Sequence, residues 1–351
     1  MGSSGAVPRL SASDQRRVLE SGAGWAVQQG YGRAEDLQFT EENGCLGGAD
    51  ANEVSARAKE RGSTQVGTLG SGNHFLELDV VDEIFLPDVA GAFGLVEGNL
   101  AVFIHSGSRG LGYQVCDDFL DVMGKAMRKY GIEIPDRQLA CAPIQSEEGR
   151  RYLAAMAGAA NYAWANRQVM MSLAEQALLE ALDIGPRDLG FQLVYDVCHN
   201  IAKFEEHVVD GKVERLCVHR KGATRAFPPG SKHIPEAYRP VGQPVLIPGD
   251  MGTGSYVLVG TPRAMEESFG SSCHGAGRVK SRTQALKAAH GRDLFLEMKE
   301  RGVTLMATGR RTVAEEMPEA YKNIHHVVDA IERAGISLKV ARLRPVGVVK
   351  G

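Results

Sequence analysis

The 351 residues carry 40 Lys and Arg against 43 Asp and Glu, a net charge of −3, which excludes a global basic field and leaves any nucleic-acid contact to a local patch. With 43% hydrophobic residues the chain can bury a substantial core, yet no stretch approaches the ~18 apolar residues of a membrane span. Nothing at the start reads as a secretory leader, and six cysteines without a C-x-x-C pair point to a reducing compartment, so the expected location is the cytoplasm.

In chain order, strand-like runs at 75–81 and 100–105 are followed by helical periodicity at 114–129 and 147–182. Further strand-like runs fall at 192–197, 216–219, 244–247 and 256–259, then helical patterns at 283–301 and 318–334, and a final strand at 340–349. The order does not alternate regularly, and neither a phosphate-binding G-x-x-x-x-G-K-[ST] loop nor a G-x-G-x-x-G between strand and helix is present. The expected fold is therefore α+β, with a mixed β-sheet core and surrounding helices. No linker or repeat divides the chain, so residues 1–351 are expected to form a single large domain.

Three histidines sit at the ends of apolar runs beside small or polar residues: His74 in Gly72-Asn73-His74, His105 in Ile104-His105-Ser106-Gly107, and His199 in Cys198-His199-Asn200. Neutral imidazole binds Mn, Zn, Fe or Ni, and ligands from separate strands can converge. Any one alone reads as a core histidine bonded to backbone; the three together favour a metal site.

A fourth histidine, His274, lies in Ser271-Ser272-Cys273-His274-Gly275-Ala276-Gly277-Arg278, where small residues let a phosphate approach the backbone and Arg278 can neutralise it. It reads as a metal ligand, as a nucleophile able to form a phosphoramidate, or as an exposed histidine in a glycine-rich turn. The segment His219-Arg220-Lys221-Gly222-Ala223-Thr224-Arg225-Ala226-Phe227-Pro228-Pro229 combines cations with an aromatic, which suits a phosphate backbone or a solvated basic loop equally. Gly249-Asp250-Met251-Gly252-Thr253-Gly254-Ser255 after a strand offers backbone N–H groups, a weak signal by itself.

Gly67-Thr68-Leu69-Gly70-Ser71-Gly72-Asn73-His74-Phe75, the HSGSRGLG beginning at His105, the YDVCHN ending at Asn200, HRKGATRAFPP and CHGAGR together resemble the RtcB family of RNA ligases, in order and over nearly the whole chain. The resemblance implies a Mn²⁺-dependent enzyme that uses GTP to join RNA ending in a 2′,3′-cyclic phosphate or 3′-phosphate to RNA with a 5′-hydroxyl, as in tRNA splicing and RNA repair. It makes His274 the catalytic residue that carries guanylate, and His74, His105 and His199 metal ligands. It makes Asn73, Phe75, Glu77, Asn200, Pro248, Gly249, Asp250, Met251, Ser255, Gly275, Ala276, Gly277, Tyr321 and Lys350 the guanylate contacts. Arg61, Arg109, Arg278 and Arg282 are assigned to RNA or anion binding from their place in the matching segments and the bidentate geometry of guanidinium.

Family members carry an Asp-x-x-Cys motif upstream that completes a two-metal site, and no cysteine here has an aspartate three residues before it. The expectation is an RtcB-like catalytic domain shortened at its N-terminus, from a truncated frame, a split protein or a short paralogue. Expected partners are RNA (tRNA halves or broken ends), an archease-like activator and a separate N-terminal piece. Two other readings stand beside the ligase: an inactive or split fragment used as a binding module, and a Mn²⁺-dependent phosphoesterase in which the histidines activate water.

Overall fold

The computed structural model describes residues 7–351. The chain divides into two compact units, Met1–Thr68 with Ser106–Phe191 and Leu69–His105 with Gln192–Gly351, so each unit is built from two separate stretches of sequence.

The first unit is helical. Its axis is the helix Glu147–Leu182, which starts where the Ser146 side chain accepts from the Gly149 N–H and stops at Asp183 in the left-handed region, φ 51°. Residues 161–172 of this helix are buried without a break, because it packs against neighbours on all sides rather than along one stripe. Val18, Leu19, Trp25, Leu111, Phe119, Tyr162 and Val169 form the core around it. The helix Arg109–Tyr130 runs beside it and ends at Gly131, φ 66°.

The second unit carries a sheet whose strands are β1 (Phe75–Ile84), β2 (Leu100–His105), β6 (Pro244–Ile247), β7 (Ser255–Gly260), β9 (Thr304–Ala307) and β10 (Ser337–Lys350). The order is β2-β1-β10-β7-β6, all antiparallel, with β9 parallel to β10; this one parallel pair makes the sheet mixed, as the sequence led us to expect. Val245, Ile247, Tyr256, Leu258, Ile324 and Val328 pack the helix Ile324–Arg333 onto one face. A hairpin of β3 (Asn200–Val209) and β4 (Lys212–Lys221) and a short ladder of β5 (Ala223–Arg225) and β8 (Ser271–Cys273) complete the unit. Among the described residues no helix is long and apolar enough to cross a membrane.

Three expectations needed correction. The run 192–197 is not a strand, although its apolar residues suggested one. The pattern 283–301 is two helices, Arg282–Ala288 and Leu294–Glu300, separated by Gly291 at φ 79° and restarted by the Asp293 side chain accepting from the Leu296 N–H. The pattern 318–334 begins as a short turn at Pro318–Ala320, and its helix starts only at Ile324, after Asn323 caps it.

Candidate active site

Strand register explains why distant residues meet. β1 and β2 pair Phe75 directly with His105, which brings His74 at the start of one strand to the end of the other, with ring centroids 5.8 Å apart. β10 pairs Val349 with Leu76, so Lys350 ends at the same edge; its amine donates to the Gly72 and His74 carbonyls, both at 3.4 Å, and lies 5.6 Å from the Phe75 ring centroid.

The remaining two histidines arrive from the other strands. Gly222, φ 65°, sits between β4 and β5; its N–H donates to the His199 carbonyl at 2.8 Å, and its carbonyl accepts from the His274 N–H at 3.3 Å. One residue thus holds both backbones, and the two imidazoles stack with centroids 3.6 Å apart. His105 stands edge-on to each, 5.1 Å from His199 and 4.9 Å from His274. Ligand nitrogens of His105, His199 and His274 lie within 4.8 Å of one another.

The electrostatics suit a cation. His105 is buried, its Nε2 has no hydrogen-bond partner, and burial followed by the neighbouring His274, His199 and His74 holds it well below the usual histidine range. It is therefore a neutral donor at neutral pH, and this histidine set fits a divalent transition metal. Cys273 does not compete as a nucleophile, since burial pushes its thiol up to about 11.

A second layer lies behind the histidines. Glu77 is fully enclosed, hydrogen-bonded to Ser255, and burial followed by the charge of Asp79 pushes its carboxyl well above the usual range; its Oε2 accepts no hydrogen bond. Ser255 also accepts from the Gly249 N–H at 3.2 Å, while the Asp250 carboxylate accepts from the Gly252 and Thr253 N–H groups at 2.9 and 3.0 Å and from the Thr253 hydroxyl at 2.7 Å. The 248–251 loop is thereby fixed from within, with Met251 buried beneath it. Gly275, Ala276 and Gly277 follow His274 in a turn where Gly277 takes φ 73° with open space around it.

The chain matches the family described as tRNA-splicing ligase RtcB across residues 1–351. The chain belongs to the RtcB family. The tRNA-splicing ligase RtcB of Archaeoglobus fulgidus is 56% identical over 349 residues, which are 99% of this chain and 72% of that protein. That of Pyrococcus abyssi is 56% identical over 351 residues but is covered over only 38% of its length, and that of Thermococcus kodakarensis is 53% identical with 73% covered. The chain therefore spans between 38% and 73% of the length of these relatives.

Set against the RtcB resemblance, the structure brings together the four histidines, Phe75, Glu77, the 248–251 loop, Ser255 and Lys350. Asn73 is the neighbour of His74, and the Asn200 side chain accepts from the Gly222 N–H at 3.2 Å. Tyr321 bridges to Arg278, which stacks over its ring at 5.0 Å. Arg278 is fully engaged: it donates to Glu316, to the Tyr321 hydroxyl, and to the Glu315 and Lys280 carbonyls. Arg282 stays largely exposed, near Glu315 and Glu316 at 3.7 and 3.6 Å. Arg61 and Arg109 belong to the helical unit, where Arg61 lies over the Tyr113 ring and the Arg109 Nε donates to the Thr68 hydroxyl at 3.0 Å.

Two buried carboxyl groups beside these residues escaped the sequence reading. Glu316 is buried and accepts from both Tyr321 and Arg278, yet Glu315-Glu316 looks like any helix end. Asp79 is wholly buried with neither carboxylate oxygen hydrogen-bonded; its signal was the two-residue offset from Glu77 on a strand, which places both on one face.

Proposed function

We propose that this chain carries the chemistry of a GTP- and Mn²⁺-dependent RNA ligase, joining a 2′,3′-cyclic phosphate or 3′-phosphate end to a 5′-hydroxyl end through a guanylate on His274. The observation that carries the reading is the convergence of His105, His199 and His274 within 4.8 Å, backed by the buried Glu77 and Lys350. The two units are read as one catalytic domain, since the backbone passes between them three times, at 68/69, 105/106 and 191/192.

His74, His105 and His199 would hold Mn²⁺, which when bound offsets negative charge on phosphate oxygens. A ring nitrogen of His274 attacks the α-phosphorus of GTP; the new N–P bond forms as the P–O bond to pyrophosphate breaks, and the ring N–H proton passes to solvent. A 2′,3′-cyclic end is first opened by water, which adds to phosphorus as the P–O2′ bond breaks; the RNA 3′-phosphate oxygen then attacks the guanylate phosphorus and frees His274, giving an activated end whose phosphate is attacked by the 5′-hydroxyl as GMP leaves. Glu77 suits the guanine N–H edge because its buried Oε2 has no donor of its own, and N–H donors there would favour the ionised form that burial disfavours. Lys350, its amine held below the usual lysine range by burial, sits where a phosphate charge would favour its protonated form. Arg278 holds the Tyr321 side of the site in place, and Arg61, Arg109 and Arg282 are the candidate RNA contacts. RNA is the proposed substrate, and an archease-like activator and a separately supplied N-terminal piece are proposed partners. Its cysteines are all free among the described residues, which suits the cytoplasm.

The test is intact mass and peptide mapping after incubation with GTP and Mn²⁺, alone and with a family N-terminal segment added in trans, with ATP as the specificity control. A guanylate adduct on His274 is the expected result; no adduct in either mixture, with folded protein, overturns the reading. The close three-histidine set favours one further reading, a phosphoesterase in which His274 is a ligand, and GTP-independent hydrolysis of a 2′,3′-cyclic phosphate would establish it.

A further inference from the structure

The hairpin β3–β4 has two unlike faces. On one, Lys203, His207 and Arg220 are buried and Glu205 is half-buried with its side chain turned inward, an unusual set to enclose. Arg220 grips Glu205 with two bonds of 2.7 and 2.8 Å, and also reaches the Ser271 hydroxyl and the Phe269 carbonyl. This bidentate pair, with His207 at 3.1 Å from Glu205, makes the hairpin a fixed platform rather than a loose arm.

The opposite face is left open. Phe204 is 42% exposed there although it is the largest apolar side chain of the hairpin, and Arg215 lies over its ring at 5.0 Å. Cross-strand register puts His219 opposite Ala202 and Lys221 opposite Asn200, so Arg215, His219 and Lys221 form a line with Glu206 as the one carboxylate among them. The line ends at the catalytic cluster: Asn200 follows His199 directly, and Gly222, next to Lys221, is the residue bonded to both His199 and His274. Phe204 lies four residues from Asn200, about 13 Å along an extended strand, a few base spacings of ~3.4 Å.

Resting on the ligase reading above, we propose that this open face is a track for the single-stranded RNA end, with a base stacked on Phe204 and the backbone phosphates beside Arg215, His219 and Lys221. An exposed aromatic flanked by cations on a rigid sheet, continuous with a phosphoryl-transfer site, is what sequence-tolerant recognition of single strands requires. The exposed Val208 and Val213 pair at the far tip of this face and Arg215 lies opposite Glu206, but the end next to the histidines carries His219 and Lys221 with no carboxylate opposite them, and that local excess favours RNA over a protein surface there.

The test is fluorescence anisotropy of 3′-phosphorylated oligouridylates, a decamer and a dinucleotide, on the full chain and on Phe204→Ala, Phe204→Trp and Arg215→Ala, each checked for folding by circular dichroism. Loss of one stacked base should weaken the decamer about tenfold in Phe204→Ala, with recovery in Phe204→Trp, while the dinucleotide changes less than about twofold. Decamer affinity unchanged in Phe204→Ala and Arg215→Ala overturns the track and leaves the ligase reading standing. A parent that binds neither oligonucleotide overturns both. A variant that changes only the elution volume, with RNA binding intact, assigns the face to protein contacts instead and overturns the track.

Discussion

His199 and His274 stack almost parallel, with ring centroids 3.6 Å apart and planes 6° from coplanar. Two imidazoles this close disfavour a double positive charge, so the arrangement is suited to neutral rings that serve as ligand or nucleophile. His274→Ala should reduce covalent guanylation to background while far-UV circular dichroism stays that of the parent, because the imidazole packs against the other histidines, whereas it is Ala276 that this turn contributes to the apolar core. His199→Ala, which leaves the nucleophile but removes its neighbour, should raise the Mn²⁺ concentration needed for half-maximal guanylation. Equal Mn²⁺ requirements in His199→Ala and the parent would remove His199 from the metal set.

Asp79 and His105 drive the pH dependence of stability in opposite directions. Burial pushes Asp79 up to about 7 from 3.8, so between those values the folded state keeps a proton that the unfolded chain releases, and stability falls as pH rises through this window. Glu77 acts in the same sense. His105 is held well below 6.5, so below that value the unfolded chain takes a proton that the folded state refuses, and stability falls as pH drops. Each contributes a slope of up to about 1.4 kcal/mol per pH unit in its window. Asp79→Asn should therefore raise the urea midpoint more near pH 8 than near pH 4, and His105→Gln should flatten the acid limb below pH 6. Profiles parallel to the parent's would show that these groups do not titrate with folding.

Arg220 and Glu205 form a buried pair, and breaking it from one side strands a charge. Arg220→Ala should cost about 3–5 kcal/mol in chemical denaturation, whereas the double change Arg220→Met with Glu205→Leu should recover most of that loss. If the double variant were no more stable than the single one, the pair would matter for packing shape rather than for charge.

Gly249 is required by space. A Cβ there would lie 1.8 Å from the Gly254 carbonyl oxygen, a backbone atom that cannot swing away. Gly249→Ala should displace the loop held by Asp250 and Ser255 and lower the guanylation rate at limiting GTP by more than tenfold. Gly277→Ala is the contrast, since its Cβ meets nothing within 4 Å and the cost is the left-handed backbone alone, about 1–2 kcal/mol. Similar GTP dependence for both variants and the parent would detach the 248–251 loop from nucleotide binding.

The sequence alone determined the family, the α+β class, and the elements whose pattern is local. The helix Glu147–Leu182 has its bounds written in Ser146 at the start and in a long apolar periodicity, and the motif segments around His74, His105, His199 and His274 could be read without knowing how they meet. Only the tertiary structure decided the rest. β3 went unseen because it turns Phe204 and Val208 to solvent and Lys203, Glu205 and His207 inward, the reverse of the alternation that marks a strand, and this pays only because Arg220 and the neighbouring ladder supply partners. The run 192–197 is apolar enough for a strand but forms no more than a single bridge, at Asp196. Likewise, that one glycine between β4 and β5 holds His199 against His274, and that Asp79 is sealed behind Glu77, follow from strand register. Register is a relation between segments far apart in the chain, settled by packing energy rather than by any local preference.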